Sequence, residues 1–421
     1  MNLAPTFHGH NRTYLYRLSY CLIIAYLLFL CYTVCMDEKM TFTQLSISED
    51  FITKLAEHEI TEATAVQAQA IPAIAEGKSV VFQSETGTGK TLAYLLPLAQ
   101  KIRQSENSKK EVRLVILAPT YELASQIKMQ IPLFSDLKAA LLIGGAPIKR
   151  QIEVLKEKPE IVIGGPARLL ELFHLKKLKL DGAQAIVLDE VDRLLSPELR
   201  DESLEMISLL KRDSQVVACS ATISKNTVKI LSDAKNGAKI ETLFLPPEDV
   251  LRKRITHMAI FSEQRDKIET LRKLLTAEKP EKALVFTSRV DQVANITAKL
   301  TYHHFDCAGL HAKTDKQERK AAIDRFRSGK CPILVTSDLA SRGLDIPNIT
   351  YIIQMDFPSN EDFFIHRAGR TARAGKSGTN IVIGDAYEMQ KYAALEKKLG
   401  FVVYPKVLYG GKLMSPEQAD M

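Results

Sequence analysis

The sequence predicts an α/β protein with two tandem parallel-sheet domains joined by a short linker. The chain of 421 residues is too long for one compact core and long enough for two ordinary domains. Beyond residue 40, short apolar runs alternate with amphipathic helical stretches, which is typical of parallel strands connected by helices. A break at residues 246–249, with two prolines and two acidic residues, separates two such series.

The first 39 residues do not fit this α/β plan. Residues 18–35 carry no charge and are long enough to span a bilayer. Two arginines precede this run and two acidic residues follow it, so the positive-inside rule would place the rest of the chain outside the cytosol. A membrane anchor, an uncleaved signal-like segment and a mis-called start before Met36 or Met40 are the three interpretations. We favour the mis-called start, which predicts a cytoplasmic protein without stable membrane association.

The first series of apolar runs predicts a domain over residues 40–245. Each run is followed at once by a polar or glycine-containing turn. In open parallel sheets, ligands bind beyond the carboxyl ends of the strands, so these turns are the expected positions of the chemistry. The predicted strands cover residues 80–82, 114–117, 140–143, 161–163, 185–188 and 216–218.

The second series predicts a further domain over residues 254–408, after a linker at 246–253. The two halves share no obvious sequence repeat, yet their strand–helix rhythm is similar, so we expect two related sheets that face each other. A short polar tail is expected at 409–421. The predicted strands of the second sheet cover residues 283–286, 333–335, 351–353 and 380–383.

Composition and cysteine spacing limit the class of protein. With 46% hydrophobic and 25% charged residues, the chain has the composition of an ordinary globular protein. The net charge of +7 permits a polyanionic partner without requiring one. The six cysteines contain no CxxC pair and no metal-binding spacing, so we expect reduced thiols rather than a disulfide framework or a zinc site.

A phosphate-binding loop is predicted between the first strand and the following helix. Its glycines let backbone N–H groups curl around phosphates at a helix N-terminus. Lys90 can reach the β- and γ-phosphates of a nucleotide, and the Thr91 hydroxyl can bind Mg²⁺. The alternative, a glycine-rich turn without a ligand, is weaker because the strand–loop–helix context fits. The loop consists of Ser84, Glu85, Thr86, Gly87, Thr88, Gly89, Lys90 and Thr91.

Two adjacent carboxylates follow the predicted strand at 185–188. Asp189 is expected to hold Mg²⁺, partly through water, and Glu190 to orient and deprotonate the attacking water. A solvated acidic loop would explain these two residues equally well if they stood alone. The phosphate loop, about 100 residues upstream, favours the catalytic interpretation.

The order of short motifs resembles the DEAD-box RNA helicases of superfamily 2, especially small bacterial members with little beyond the helicase core. The resemblance covers nearly all of residues 41–405 and implies two RecA-like domains that hydrolyse ATP. Single motifs are weakly specific, but nine in this order are very specific. They read ETGTGKT, APTYELASQ, GG, GPAR, DEVD, SAT, VFTSR, TSDLASRGLD and HRAGRTAR.

The resemblance also implies an ATP site that is shared between the domains. A Q motif at 41–69 would select adenine through Gln67, with Phe42 upstream, and Asp345 would contact the ribose. Arg370 and Arg373, three residues apart, would reach the γ-phosphate as arginine fingers. The residues expected to couple the last motif to the carboxylates are His366, Arg367, Ser220 and Thr222.

RNA is the partner that the resemblance implies, bound largely without sequence preference. The expected activity is clamping of single-stranded RNA and local unwinding of short duplexes by a monomer, in ribosome assembly or RNA remodelling on ribosomal precursor particles. An ATP-regulated RNA clamp or scaffold with weak hydrolysis is the alternative. The implied RNA contacts are Pro119, Thr120, Glu122, Gly145 and Arg168 in the first domain, and Arg289, Thr336, Asp338 and Arg342 in the second.

Several residues depart from the family pattern. Tyr121 stands where the family has arginine, and Ile60 stands where it has phenylalanine next to the adenine. Val191 and Ala372 replace alanine and glycine, and GPAR replaces a Thr-Pro-Gly-Arg sequence. No catalytic carboxylate, loop lysine or finger arginine is lost. The departures therefore concern ATP affinity and the strength of RNA coupling rather than the reaction itself.

Overall fold

The computed structural model describes residues 40–84, 87–105, 111–224, 226–243, 250–311, 314–338, 346–358, 361–372 and 376–419. It confirms the α/β fold with two parallel sheets. The apolar segment 18–35 and the linker residues 246–249 lie outside these ranges. Within these ranges, no helix is both long enough and apolar enough to cross a membrane.

The first sheet has seven strands in the order β3-β4-β2-β5-β6-β1-β7, all of them parallel. Six of them match the predicted apolar runs to within two residues at either end. The seventh is a short, half-exposed edge strand that the sequence pattern did not reveal. The strands are β1 Val80–Gln83, β2 Leu114–Leu117, β3 Ala139–Leu142, β4 Ile161–Gly164, β5 Ala185–Asp189, β6 Gln215–Ser220 and β7 Glu241–Leu243.

Helices cover both faces of the first sheet because its strands are apolar on both sides. Val80 and Phe82 belong to the core on one face, whereas Val81 belongs to the core on the other. The first core packs against α1 to α4 and the second against α6 to α9. The helices are α1 Glu49–Ala56, α2 Ala65–Ala75, α3 Lys90–Gln104, α4 Tyr121–Gln130, α5 Ile148–Lys156, α6 Pro166–His174, α7 Val191–Leu194, α8 Arg200–Ser208 and α9 Thr227–Ala234.

The second sheet has eight strands in the order β10-β11-β9-β12-β13-β8-β14-β15. All neighbours are parallel except β14 and β15, which pair antiparallel. Counted from the first strand of each sheet, the first seven strands follow the same spatial order in both domains. The strands are β8 Ile255–Phe261, β9 Ala283–Thr287, β10 Cys307–Leu310, β11 Ile333–Ser337, β12 Tyr351–Gln354, β13 Gly378–Gly384, β14 Val403–Tyr409 and β15 Lys412–Met414.

The end of the chain differs from the expected polar tail. Leu408 and Leu413 lie on the antiparallel pair β14–β15 and pack against the core of the second sheet. The hairpin therefore continues the sheet instead of projecting from it. The helices of this half are α10 Lys267–Glu278, α11 Val290–Tyr302, α12 Lys316–Arg327, α13 Glu361–Ala368, α14 Ala386–Leu399 and α15 Pro416–Ala419.

Candidate functional site

The phosphate loop joins β1 to α3, as the motif requires. Gly89 has a φ of 91°, a left-handed conformation that favours glycine. A Cβ atom at Gly89 would also lie 2.5 Å from the Gln67 side-chain nitrogen, so a larger residue would displace that side chain. Ser84 Oγ and Thr88 Oγ1 lie 2.5 Å apart and tie the two sides of the loop together. Five predicted site residues lie outside the described ranges, namely Glu85, Thr86, Arg342, Asp345 and Arg373.

Gln67 connects the Q motif to the phosphate loop. Its side-chain oxygen accepts from the Thr64 backbone N–H at 3.0 Å, as part of the capping box that starts α2. Its side-chain nitrogen donates to the Gly89 carbonyl at 3.1 Å. The amide is therefore fixed at both ends. Phe42 packs in the hydrophobic core at 1% exposure, whereas Ile60 lines the cavity beside the loop.

Lys90 points back into the phosphate loop. Its Nζ donates to the Ser84 carbonyl at 2.8 Å. A phosphate oxygen is a stronger acceptor for an ammonium group than a neutral carbonyl, so a bound nucleotide can replace this contact. Lys90 and Thr91 open α3, where the helix N-terminus adds partial positive charge toward an anion.

Asp189 ends β5 as a buried carboxylate held by three donors. Tyr94 Oη donates to its Oδ2 at 2.9 Å, and the Glu190 backbone N–H donates to its Oδ1 at 3.0 Å. Cys219 Sγ lies 3.4 Å from Oδ1. Burial raises the pKa of Asp189, and Lys90 opposes that effect. These three donors fix the orientation of the carboxylate, but none of them carries a positive charge.

Glu190 adopts a backbone conformation that is rare for a residue with a side chain. Its φ of 55° places it in the left-handed region, which stores strain of about 1–3 kcal/mol. Its Oε2 lies 3.4 Å from Arg193 Nη1. The turn directs the chain from β5 into α7 immediately after Asp189, so that both carboxylates line one cavity.

The oxygen donors at this cavity fit Mg²⁺. Thr91 and Asp189 both line it, and hydroxyl and carboxylate oxygens are donors that Mg²⁺ accepts. Among the described residues, no group of three or more His, Cys, Asp or Glu side chains could hold a metal alone. Few protein ligands are expected here, because Mg²⁺ in phosphate-transfer sites is held mainly by substrate phosphates and water.

The cavity, about 570 Å³ in volume, is bordered by both domains. The first domain contributes Lys90, Thr91, Asp189 and Glu190, and the second contributes Arg370. Arg370 is 7% exposed, and its Nε donates to the His366 carbonyl at 3.2 Å. The structure thus brings the predicted loop, both carboxylates and one predicted arginine to a single place.

A second contact between the domains lies beside this cavity. Asp192 Oδ2 accepts from Thr222 Oγ1 at 2.9 Å and lies 3.3 Å from His366 Nε2. Burial would raise the pKa of Asp192, but the hydrogen bonds it accepts, foremost that from His366, lower it to about 2. Ser220 is fully buried at the end of β6, and its carbonyl accepts from Ser84 N–H at 2.9 Å.

Among the described residues, the hydrogen bonds and ion pairs of Arg367 go to its own domain and not to the first, which corrects the sequence-based expectation. It is 1% exposed, and its Nε and Nη2 donate to the two carboxylate oxygens of Asp338 at 2.5 and 2.6 Å. It also contacts Asp356 and Ser288, all within the second domain. Asp338, predicted to contact RNA, is therefore the partner of Arg367. Thr336 is fully buried and donates to the Ser337 carbonyl, so its side chain does not face the solvent.

Three neighbouring strands of the first sheet, β3, β4 and β2, end at an open surface that we call the glycine shelf. It consists of Gly144, Gly145, Gly165 and Thr120. The positions where Cβ atoms would lie on the three glycines have no atom within 4 Å, so another molecule can approach the backbone closely. Thr120 caps α4 by accepting from Leu123 N–H at 3.2 Å. Pro119 precedes it and is partly exposed.

Arg168 lies beside the shelf on α6. Its Nη1 donates to the Ala146 carbonyl at 3.0 Å, and its Nε lies 2.9 Å from Glu171. Glu122 on α4 forms an ion pair of 2.6 Å with Arg319 on α12 of the second domain. Arg319 was not among the predicted site residues, because its sequence signal is no more than a charged position in a helical stretch. Arg289 is 68% exposed in its side chain and pairs with Asp291.

Comparison with known proteins agrees with this geometry. The family model described as DEAD/DEAH box helicase matches residues 64–230, and the one described as Helicase conserved C-terminal domain matches residues 266–375. The "Probable ATP-dependent RNA helicase YfmL" of Bacillus subtilis is 40% identical over 353 residues, which cover 83% of this chain and 92% of that protein. The "DEAD-box ATP-dependent RNA helicase CshC" of Bacillus cereus is 38% identical, with 84% and 90% covered.

A solved structure supports the same assignment. Mss116p bound to single-stranded RNA and AMP-PNP superposes with a TM-score of 0.78 at 26% identity. The match covers 88% of this chain and 80% of that one. Family models, close relatives and fold all agree, and the chain belongs to the DEAD-box family of ATP-dependent RNA helicases.

Proposed function

We propose that this chain hydrolyses ATP in the cavity between its domains and uses the cycle to clamp and release single-stranded RNA. One observation carries the proposal: Arg370 of the second domain lines the same cavity as Lys90, Asp189 and Glu190. Because the reacting groups are divided between two domains, turnover requires the domains to be apposed. ATP favours the apposed state through contacts that it makes only there.

Each residue at the cavity has a distinct part in the proposed reaction. Lys90 binds the β- and γ-phosphates, and Gln67 selects adenine. Thr91 and Asp189 would hold Mg²⁺, which neutralises charge on the phosphates when it is bound. Glu190 takes the proton of the attacking water, and Arg370 stabilises the negative charge that develops on the transferred phosphoryl group. Arg373 is proposed as a second finger and Asp345 as the ribose contact.

The glycine shelf is the proposed RNA site of the first domain. Backbone amides at open glycines, the Thr120 hydroxyl and Arg168 suit phosphate and ribose contacts, which discriminate RNA from DNA without reading bases. Arg289 is the proposed contact from the second domain. A clamp of this kind would unwind short duplexes locally. We propose that the protein acts as a monomer in the cytoplasm. Its proposed role is RNA remodelling, including that of ribosomal precursor particles.

The test is ATP hydrolysis by the full chain with and without single-stranded RNA. We expect stimulation by RNA and little by DNA of the same sequence. Glu190→Gln should lower turnover about a hundredfold or more, because it removes the base. Arg370→Ala should lower it about a thousandfold, the usual effect of losing an arginine finger.

A matched control separates these effects from general loss of positive charge. Arg272→Ala removes an arginine that pairs with Glu269 on α10, away from the cavity, and should leave turnover unchanged. RNA binding without turnover in the wild type would contradict the proposal. That outcome would favour the ATP-regulated clamp and direct attention to Tyr121 and Ile60.

A further inference from the structure

Tyr121 is an exposed aromatic residue next to the glycine shelf. It is the first residue of α4 and directly follows Thr120 at the end of β2. The residue as a whole is 47% exposed. Within the described part of the first domain, Tyr121 is the one aromatic residue among the exposed large apolar residues. Single exposed aromatic residues are common on protein surfaces, so it is the position of Tyr121 beside the shelf, rather than its exposure alone, that points to a contact with a bound strand.

The described residues around Tyr121 suit a nucleic-acid backbone rather than a base. In the sheet, β2 lies next to β4, and β4 lies next to β3, so the shelf glycines follow the two strands beside Tyr121. Thr120 and Arg168 add a hydroxyl and a guanidinium, which bind phosphates. Among the described residues at this edge, Tyr121 is the one exposed aromatic side chain, and its flat ring matches the face of a nucleobase.

Tyr121 also lies beside the junction of the two domains. Its neighbour Glu122 pairs with Arg319 of the second domain at 2.6 Å, and both side chains of that pair are about one-fifth exposed. A base placed on Tyr121 is therefore held next to the interface that ATP binding is proposed to close. Tyrosine has few rotatable bonds, so ordering its ring sacrifices little conformational entropy.

We propose that Tyr121 stacks on one nucleobase of the RNA strand that lies on the glycine shelf. The proposal rests on the proposed function, because it requires RNA at this edge. Arginine, which the family pattern has at this position, adds a positive charge for phosphates, whereas a tyrosine ring adds a contact that depends on a base. Binding at this position should therefore be less sensitive to salt and more sensitive to loss of a base.

The experiment measures binding of a short uridylate oligonucleotide to the full chain with a non-hydrolysable ATP analogue. Each nucleotide in turn is replaced by an abasic one. We expect wild-type affinity to fall about 5- to 150-fold at one abasic position, which corresponds to about 1–3 kcal/mol for one base–aromatic stack. Tyr121→Ala should bind intact RNA more weakly by a similar factor and show no sensitive position. Tyr121→Phe should behave like the wild type.

Two further variants complete the test. Tyr302→Ala, which removes a tyrosine that is 80% exposed at the end of α11, should not change affinity. Tyr121→Arg should lose the sensitive position and steepen the dependence of log affinity on log salt by about 0.7, the slope of one added phosphate contact on a single strand.

The possible failures are distinguishable. A flat abasic scan in the wild type, with ATP hydrolysis still stimulated by RNA, would overturn the stacking proposal and leave the proposed function intact. Equal losses in Tyr121→Phe and Tyr121→Ala would also overturn it, because the hydroxyl rather than the ring would then carry the contact. Absence of both RNA binding and RNA stimulation would overturn the two proposals together.

Discussion

The two sheets of this protein share one strand order, yet corresponding strands end in different chemistry. The fifth strand of the first sheet, β5, ends in Asp189, and the fifth strand of the second, β12, is followed closely by Asp356. Asp189 is surrounded by neutral donors from Tyr94, Cys219 and a backbone N–H, and it borders a cavity. Asp356 accepts from Ser288 and Thr287 and faces the guanidinium of Arg367.

The same strand order therefore places a carboxylate at the candidate reaction site in the first domain and in a stabilising ion-pair network in the second. In the first domain the carboxylate lacks a positively charged hydrogen-bond donor, which leaves it available to a cation. In the second, Arg367 neutralises Asp356 and Asp338 together and also lies over the Phe286 ring at 5.4 Å. Arg367 therefore stabilises the second domain, whereas Arg370, three residues later, faces the cavity.

Replacing Arg367 is the strongest test of this comparison. Arg367→Ala would leave two largely buried carboxylates without their charged partner, which destabilises a protein by about 3–5 kcal/mol. We expect a large drop in the urea midpoint, followed by circular dichroism. Arg367→Lys should be intermediate, because an ammonium cannot reproduce the two parallel contacts to Asp338. Arg272→Ala, at an exposed pair, should remain within about 0.5 kcal/mol of the wild type.

Among the described residues, the second domain contains a buried histidine and the first domain does not. His257 is 1% exposed and stacks on Phe401 with ring centroids 4.2 Å apart. Its Nδ1 accepts from the Asn380 side chain at 3.2 Å, and its Nε2 donates to the Leu251 carbonyl at 2.8 Å. Burial lowers the pKa of His257 to about 4, although the contact with Leu251 opposes this.

Acid should therefore destabilise the second domain before the first. The unfolded chain protonates His257 below about pH 6.5, whereas the folded chain keeps it neutral until about pH 4. Between these values the unfolded state binds more protons than the folded state. The free energy of unfolding therefore has its full value above pH 6.5 and falls by about 3 kcal/mol as pH decreases to 4. Urea midpoints measured across this range should show that loss, and His257→Gln should reduce it.

The exposed His174, which is 60% exposed in its side chain and lies on α6 of the first domain, provides the control. His174→Gln tests whether the loss of any imidazole is enough to change the pH dependence. An equal pH dependence in wild type and His257→Gln would show that His257 is not the group that titrates.

Sequence periodicity predicted the uniformly apolar strands and missed those with mixed surroundings. β8 reads ITHMAIF and carries the buried His257, and β14 contains Pro405, which is unusual inside a sheet. β10 includes Gly309, which weakens a strand signal. Each of these strands is stabilised by its neighbours in the sheet, a contribution that a local pattern cannot reveal.

The residues of the candidate site also fall into those that a local sequence pattern predicts and those that it does not. The phosphate loop and the carboxylates at β5 could be predicted because each motif lies within a few consecutive residues. The pairing of Arg367 with Asp338 spans 29 positions and that of Arg319 with Glu122 spans 197, so neither follows from spacing. The sequence identified Arg367 as chemically important but could not show that its partners lie within its own domain.

Tyr94 is the donor that most distinguishes Asp189 from Asp356. Tyr94→Phe removes a fully buried hydrogen bond to the Asp189 carboxylate without changing the shape of α3. A hydrogen bond to a charged group contributes about 1.5 kcal/mol or more, so we expect ATP turnover to fall roughly tenfold with RNA affinity unchanged. Tyr392→Phe, which removes a buried hydroxyl from the second domain, should leave turnover unaltered. Unchanged turnover in Tyr94→Phe would show that the other two donors suffice to orient Asp189.

The smallest expected effect concerns the ion pair that joins the two domains beside the glycine shelf. Glu122 and Arg319 are about one-fifth exposed, so their pairing should contribute about 0.5–1 kcal/mol and weaken with salt. Glu122→Gln, Arg319→Gln and the double variant form a cycle, with the distance between fluorophores on the two domains as the measurement.

We expect either single variant to shift the population of apposed domains by up to about fivefold at low salt. The double variant should add nothing further, because both changes remove the same contact. In high salt the wild type should approach the variants. The corresponding cycle at Glu269 and Arg272, which pair within α10 of one domain, should leave the distance between domains unchanged. Additive single effects would mean that Glu122 and Arg319 act on domain closure independently, through partners other than each other. The ion pair would then not link the two domains.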